Sequence, residues 1–392
     1  MIDLDFIRNA AGNISSFVHK TPLIYSNSFS QMFHAEVYIK AENLQKTGSF
    51  KVRGAFNRLI KLKTDKVIAA SIGNHAQGVA YAAAGLGIKA KIVMPLTASI
   101  VKQEATRGYG AEVVLHGETF GDALNYAISQ KDYTFIHAFD DDDVIAGQGT
   151  IGLEIENELQ DIDVVLVPVG GGGLISGISI AIKSLSPNTE VIGVQTVSAT
   201  SAYDSFHKNE IVERIPQPTL ADGIAVGRIG YKTFEVMQRY VDDIIKVSED
   251  SIAMAVLLFL ERKKLVVEGA GAVPLAALIE QKERFKDKRI VLVVSGGNID
   301  FTLIDRIIHK GLVSSARIGV FKVIVDDVPG GLHKITGIIA EQRGNILNVV
   351  HDRLSQDVPI GKTLVTFTVE TKGKGHLEEI ISAIKKADFI LV

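Results

Sequence analysis

The sequence predicts an α/β protein: one or two doubly wound open sheets, followed by a smaller ferredoxin-like βαββαβ module. Three observations carry that prediction. Up to about residue 314, short β-branched runs alternate with stretches of helical apolar spacing. The runs Val164–Val169, Val191–Val194 and Ile290–Val294 are apolar with no period-2 alternation, as in strands buried on both faces of a parallel sheet. After Ser314-Ser315 the pattern changes to alternating strands and two helices within a short segment.

In chain order, residues 1–19 carry a helical pattern (Ile7, Ala10, Ala11, Ile14, Phe17, Val18) that stops at Thr21-Pro22. Glu36–Lys40 reads as a strand. Val52–Leu62 reads as a helix entered through Ser49 as N-cap, with Lys51 in its first turn and Arg53, Asn57, Arg58 and Lys61 on its polar side. Strands at Val67–Ala70, Ala90–Met94, Glu112–Leu115 and Phe135–His137 interleave with helices at Ala76–Gly85, Ile100–Tyr109 and Phe120–Gln130. Further helices are expected at Ile151–Leu159 and Leu174–Leu185. The module reads as strand Ile318–Asp326, helix Leu332–Gln342, strands Ile346–Leu354 and Thr363–Glu370, helix His376–Ala387 and strand Phe389–Val392. The boundary falls near Gly311–Ala316, giving domains at 1–314 and 317–392.

A chain of 392 residues has room for two or three domains with real cores. A net charge of −3 argues against nucleic acid or an anionic membrane as the main partner. Cysteine is absent, which excludes disulfides, thiol catalysis and cysteine metal sites. The acidic start Met1-Ile2-Asp3-Leu4-Asp5 does not resemble a signal peptide, and apolar runs are too short to span a bilayer, so a cytoplasmic protein is expected.

Three glycine-bearing stretches follow predicted strands. Gly170-Gly171-Gly172-Gly173-Leu174 opens a helix, so its backbone N–H groups and the helix dipole can cradle a phosphate or carboxylate. It matches neither the dinucleotide fingerprint nor a Walker loop. Gly147-Gln148-Gly149-Thr150-Ile151-Gly152 has the G-x-G-x-x-G spacing but follows an acidic turn rather than a strand. Ser71-Ile72-Gly73-Asn74-His75 and Ser295-Gly296-Gly297-Asn298 occupy the strand-end position where ligands bind in open α/β sheets. Asn74 brings a donor and an acceptor, and Ser71, His75 and nearby amides can grip a carboxylate; His75 alone reads as structural. Glu268 lies at a small-residue turn and is equally open to a structural or a functional reading. Asp140–Asp143 lacks calcium-loop spacing and reads as a solvated turn. The histidines show no zinc spacing, so no metal is expected.

Lys51 remains open at this level. A cation near the positive end of a helix dipole is either an ordinary solvated side chain or an amine kept neutral for chemistry. One lysine amine, an anion cradle and polar groups around a flat ring, without metal or thiol, are the parts that pyridoxal phosphate chemistry uses.

At these residues the chain resembles the threonine dehydratases of the fold-type-II pyridoxal phosphate family. Lys20-Thr21-Pro22-Leu23, Ser49-Phe50-Lys51-Val52-Arg53-Gly54-Ala55, Ser71–Gly78, Gly147–Thr150, the tetraglycine loop, Glu268-Gly269-Ala270-Gly271 and Ser295–Asn298 occur in that family's order. The segment from Asp327-Val328-Pro329-Gly330-Gly331-Leu332 resembles an ACT domain, a regulatory module of amino-acid metabolism. The resemblance implies that Lys51 holds the cofactor and serves as base at Cα. It implies that Phe50 packs near the ring, Asn74 bonds the ring hydroxyl, Gly170, Gly171, Gly172, Gly173 and Leu174 hold the phosphate, and Ser295 bonds the pyridine nitrogen. Ser71, Gly73, Asn74 and His75 would line the substrate carboxylate site. The implied reaction takes L-threonine to 2-oxobutanoate and ammonia, with some activity on L-serine.

Serine racemases of this fold carry a second serine where Ile72 stands, and acidic residues for a divalent ion near Gln195, so racemisation is disfavoured. The usual dehydratase residue at position 72 is alanine, and Ile72 departs from it. A serine dehydratase or racemase, and a non-catalytic amino-acid sensor, are the competing expectations. The ACT likeness implies a homodimer or homotetramer and an amino-acid effector; isoleucine would suit a biosynthetic enzyme.

Overall fold

The structure is a computed structural model and describes residues 2–353 and 358–392. It divides into two compact units, Met1–Ile299 and Asp300–Val392. Among the described residues, no helix is long and apolar enough to cross a membrane.

The first unit contains two sheets. Its strands are β1 (Leu23–Tyr25), β2 (Glu36–Ala41), β3 (Lys66–Ala70), β4 (Lys89–Met94), β5 (Glu112–Leu115), β6 (Thr134–Phe135), β7 (Val164–Pro168), β8 (Glu190–Thr196), β9 (Asp243–Val247) and β10 (Arg289–Val294). The larger sheet has the order β1-β2-β10-β7-β8-β9, and the smaller β5-β4-β3-β6. All neighbours are parallel except β1 on β2. The apolar runs of the sequence are the central strands: β7 and all of β10 beyond Arg289 are buried. Each sheet has its own core. One is built on Val165, Val167, Val191, Val291 and Val293, the other on Val67, Ala69, Ile92, Phe56 and Leu59. In both sheets the ligand-facing edge is therefore the row of strand carboxyl ends.

Helix Asp142–Glu158 begins nine residues before the expected Ile151. The acidic segment is not a solvated turn: the Asp141 carboxylate accepts from the N–H groups of Asp143 and Val144 and caps this helix. Asp140 caps helix Tyr231–Tyr240, and Asp143 pairs with Arg58 and Lys61. The G-x-G-x-x-G spacing thus lies inside a helix, where it forms a packing face. A Cβ on Gly147 would stand 2.6 Å from the Gly54 Cα, and one on Gly149 would stand 2.8 Å from the Gly177 carbonyl. The supposed polar side of helix Lys51–Lys61 is also partly interior, since Arg53 and Asn57 are fully buried.

The second unit holds helix Phe301–Ser314, β11 (Ile318–Asp326), helix Gly331–Glu341, β12 (Asn345–Asp352), β13 (Lys362–Glu370), helix Lys374–Lys386 and β14 (Ile390–Leu391). Its sheet is antiparallel, in the order β12-β13-β11-β14, which is the βαββαβ arrangement expected. Leu354, the expected end of its second strand, lies outside the described residues. The core of this unit is Val323, Val325, Ile335, Ile339, Val365, Phe367 and Ile380.

Candidate active site

The lysine loop is fastened to the end of β10. Thr47 and Gly48 turn the chain through two left-handed residues, at φ 64° and φ 71°. That conformation is unfavourable for a β-branched threonine and is held from outside. The Asn298 amide donates to the Thr47 carbonyl at 2.8 Å, and the Gly297 N–H donates to the Gly48 carbonyl at 2.9 Å. Ser49 then forms an isolated β-bridge with Gly296, and the Phe50 N–H donates to the Ser295 carbonyl at 3.1 Å. This bridging overturns Ser49 as the helix N-cap. Its backbone is extended, its hydroxyl is buried without a partner, and the capping position is Phe50.

Lys51 therefore starts its helix directly beside the end of β10. Its Nζ donates to the Ala138 carbonyl at 3.1 Å and lies 5.1 Å from the Phe50 ring centroid. The side chain is only half-buried by surface, yet protein surrounds it, as at the floor of a crevice. Burial pushes the amine down to about 8, against the opposing charge of Glu268. An amine titrating there is available as a free base near neutrality.

The end of β3 supplies the opposite wall. Ser71 accepts from the Gly73 N–H at 3.2 Å, and Gly73 leads into helix Asn74–Leu86. This helix passes the lysine closely, for a Cβ on Gly78 would stand 3.1 Å from the Lys51 carbonyl carbon. Asn74 donates to Glu268 at 2.8 Å and accepts from Asn298 at 2.7 Å. The second bond joins the ends of β3 and β10, which belong to different sheets, and the first ties the β3 end to the start of helix Gly269–Glu280. The imidazole of His75 is turned away: Nε2 is 3.1 Å from the Ile136 carbonyl, so Nε2 carries the proton. Burial and the neighbouring Lys51 push this histidine down to about 3, which keeps it neutral. The backbone of His75 is the part placed to serve an anionic ligand, since the neutral ring spends its N–H on Ile136. Ile72 is 38% exposed at the tip of the loop.

The tetraglycine stretch is the third wall. Gly172 has φ +95°, and helix Gly173–Leu185 follows. Cβ atoms on Gly172 and Gly173 would stand 2.8 Å from the Thr233 Cβ and 2.9 Å from the Phe139 Cβ. The glycines are therefore required by close packing as well as by the turn. Phe139 follows Ala138, the carbonyl that holds Lys51, so this loop and the lysine share a wall. Ser295, 2% exposed, completes the floor at the end of β10.

The structure thus brings Phe50, Lys51, Asn74, Ser295 and the glycine loop into one crevice, with Ser71 and Gly73 on its rim. It also adds Ala138 and Asn298, which were not among the candidates, and brings in Glu268, which the sequence left open between a structural and a functional role. Asn298 carried a signal, as the last residue of Ser295–Asn298. Ala138 contributes only a carbonyl and carried none. Glu268 is the N-cap of helix Gly269–Glu280 rather than part of a turn. Burial, with Asp222 adding, pushes its carboxyl up to about 7 while hydrogen bonds from Asn74 and Asn298 oppose the rise. An amine pushed down to about 8, a helix N-terminus opened by glycines, and the Ala138-Phe139 wall between them fit pyridoxal phosphate.

The chain belongs to the family of pyridoxal-phosphate dependent enzymes, whose model matches residues 14–296. An L-threonine ammonia-lyase of Thermotoga maritima is 48% identical, over 97% of this chain and 96% of that protein. Among solved structures, a T.th. threonine deaminase matches with a TM-score of 0.73 and 42% identity, covering 76% of this chain and 99% of that one. Maize serine racemase matches with a TM-score of 0.74 and 33% identity, covering 80% and 98%.

Proposed function

We propose that this protein is a threonine ammonia-lyase: it converts L-threonine to 2-oxobutanoate and ammonia and acts less well on L-serine. The observation that carries this reading is the single amine of Lys51 placed between the glycine loop and Asn74. The near full-length likeness to an L-threonine ammonia-lyase supports the choice of substrate. Pyridoxal phosphate, when bound, supplies the electron sink that makes the substrate Cα proton acidic.

The chain's own residues do the rest. Gly170–Gly173 and Leu174 offer backbone N–H groups to the phosphate. Phe50 would pack beside the ring, Asn74 would donate to its hydroxyl, and the Ser295 hydroxyl would meet its nitrogen. Ser71, Gly73, Asn74 and the His75 backbone take the substrate carboxylate. Lys51, whose amine titrates at about 8, removes the Cα proton. The β-hydroxyl takes that proton back from Lys51 and leaves as water, and the released enamine tautomerises to an imine that water hydrolyses to the oxo acid and ammonia. Threonine and serine differ by one methyl group, worth about 1–3 kcal/mol, so both are turned over.

A racemase is the second reading, favoured by the likeness to the maize enzyme. Ile72 argues against it, since that side chain cannot take a proton on the ring face opposite Lys51. Measuring kcat/KM for L-threonine and L-serine, with chiral analysis of unreacted substrate, separates the two. Appearance of the D-enantiomer at a rate matching oxo acid release overturns the lyase reading.

Residues 1–314 carry the reaction in this proposal, and residues 317–392 form an ACT regulatory domain. The sheet order of the second unit supports that assignment. A cavity of about 610 Å³ lies where the loop from β11 to the following helix meets the end of β12, lined by Asp327, Leu332, His333, His351 and Arg353 among others. It is large enough for an amino acid. β12 is a sheet edge with Leu347, Val349 and Val350 exposed, which supports pairing between copies as a homodimer or homotetramer.

A further inference from the structure

We propose that Glu268 is a positioning residue of the active site, fixing the side-chain amide of Asn74 in the one orientation that leaves a single N–H free for the cofactor. The inference rests on the lyase reading above and goes beyond it, because that reading gives Glu268 no part.

The geometry has a direction. The Asn298 amide nitrogen gives one hydrogen to the Thr47 carbonyl at 2.8 Å and the other to Asn74 Oδ1 at 2.7 Å. The Asn298 side-chain amide is thereby used up as a donor, and Asn74 Oδ1 is committed as an acceptor. Asn74 Nδ2 in turn donates to Glu268 Oε1 at 2.8 Å. Of the two hydrogens on that nitrogen, one remains. An amide is otherwise free to flip end for end, and here a donor at one end and an acceptor at the other forbid it. Glu268 is itself fixed. Its N–H donates to the Gly296 carbonyl at 3.1 Å, and Gly296 leaves no room for a Cβ against the carboxylate. Glu268 is only 5% exposed, so this acceptor has little water to replace it.

The ionisable groups that Glu268 faces come from three elements. Lys51 lies on the lysine helix, Asp222 on the turn Asp222–Ile224, and Lys102 on helix Ile100–Gly108. Lys102 and Asp222 pair with each other at 3.0 Å, which leaves Lys51 as the unpaired charge facing Glu268. Burial holds the Glu268 carboxyl at about 7, so its charge changes within the working pH range. As the pH falls through this value the carboxylate takes a proton, its hold on Asn74 weakens, and its support of the Lys51 charge is lost.

The test uses the full-length protein with pyridoxal phosphate as the probe. Visible absorbance of the bound cofactor is recorded from about pH 5.5 to about pH 9, and cofactor affinity is measured on the resolved protein. Wild type is compared with Glu268→Gln, which keeps an acceptor without charge, and Glu268→Ala, which removes both. The expected result is a spectral transition near pH 7 in wild type that is absent from both variants. Affinity is expected to stay within about threefold of wild type for Glu268→Gln and to fall about tenfold or more for Glu268→Ala. If Glu268→Ala does not fold, Glu268→Gln alone decides. A transition near pH 7 that persists in Glu268→Gln, or is absent from wild type, overturns the proposal. A wild-type protein that binds no pyridoxal phosphate overturns instead the reading on which the proposal rests.

Discussion

Two residues beyond the reactive lysine, Arg53 shows how far charge can be drawn into this core. Its guanidinium forms a fork on Glu42, with both bonds at 2.8 Å, and reaches Glu154 at 2.6 Å. Lys40, also fully buried, bonds Glu154 at 2.6 Å and the Thr21 carbonyl at 2.6 Å, while Thr21 donates to Glu42. Removing one partner would strand the other charges, so Glu42→Ala should destabilise the protein by about 3–5 kcal/mol, read from the denaturant midpoint. None of this network was legible in the sequence, because charged letters at helical spacing read as a solvated face. Lys51 was legible as a base only through the family resemblance; its own stretch left it open, since the carbonyl that holds it and the burial that lowers its pKa come from distant segments. The depressed value gives a second prediction. In protein stripped of cofactor, only the neutral amine can recapture pyridoxal phosphate. An amine titrating at about 8 gains neutral fraction about tenfold per pH unit below that point and levels off above it. Recapture should therefore rise with pH and flatten beyond about 8, whereas an ordinary lysine would keep rising to about 10. Stopped-flow absorbance checks the difference.

At the scale of elements, the buried parallel strands β7, β8 and β10 were the clearest feature of the sequence. Their apolar runs need no alternation, because both faces meet helices. Short or polar strands escaped: β1 has three residues, and β9 interrupts its apolar run with Asp243 and Lys246. The start of helix Asp142–Glu158 was missed for a different reason. The glycines Gly147, Gly149 and Gly152 look like a loop when the helices they touch are not known. Gly147 and Gly12 make that distinction measurable, since both lie inside helices. A Cβ on Gly147 would collide with the Gly54 backbone at 2.6 Å, whereas one on Gly12 meets nothing within 4 Å. Gly147→Ala should cost about 1–3 kcal/mol by overpacking. Gly12→Ala should stabilise by up to about 1 kcal/mol through helix propensity. Thermal unfolding of the two variants decides between a packing role and a loop role.

At the scale of the molecule, the chain joins two kinds of sheet, and the change in hydrophobic pattern after Ser314-Ser315 made the second one visible in advance. The convergence of three strand ends on one crevice was an expectation from the glycine pattern; the Asn74–Asn298 bond joins two of them, and Ala138-Phe139, between Lys51 and the glycine loop, links the third. A protein lacking residues 317–392 should retain threonine turnover and lose any response to isoleucine, valine or leucine, as seen by assaying both forms with each amino acid. The central claim is that Lys51 performs the chemistry with pyridoxal phosphate on threonine. Its most direct test is oxo acid release from L-threonine, with cofactor absorbance, for wild type and Lys51→Ala. The expected result is a visible cofactor band and turnover in wild type, with the band altered and turnover lowered at least about a thousandfold in Lys51→Ala. Wild-type turnover in the Lys51→Ala protein would contradict it.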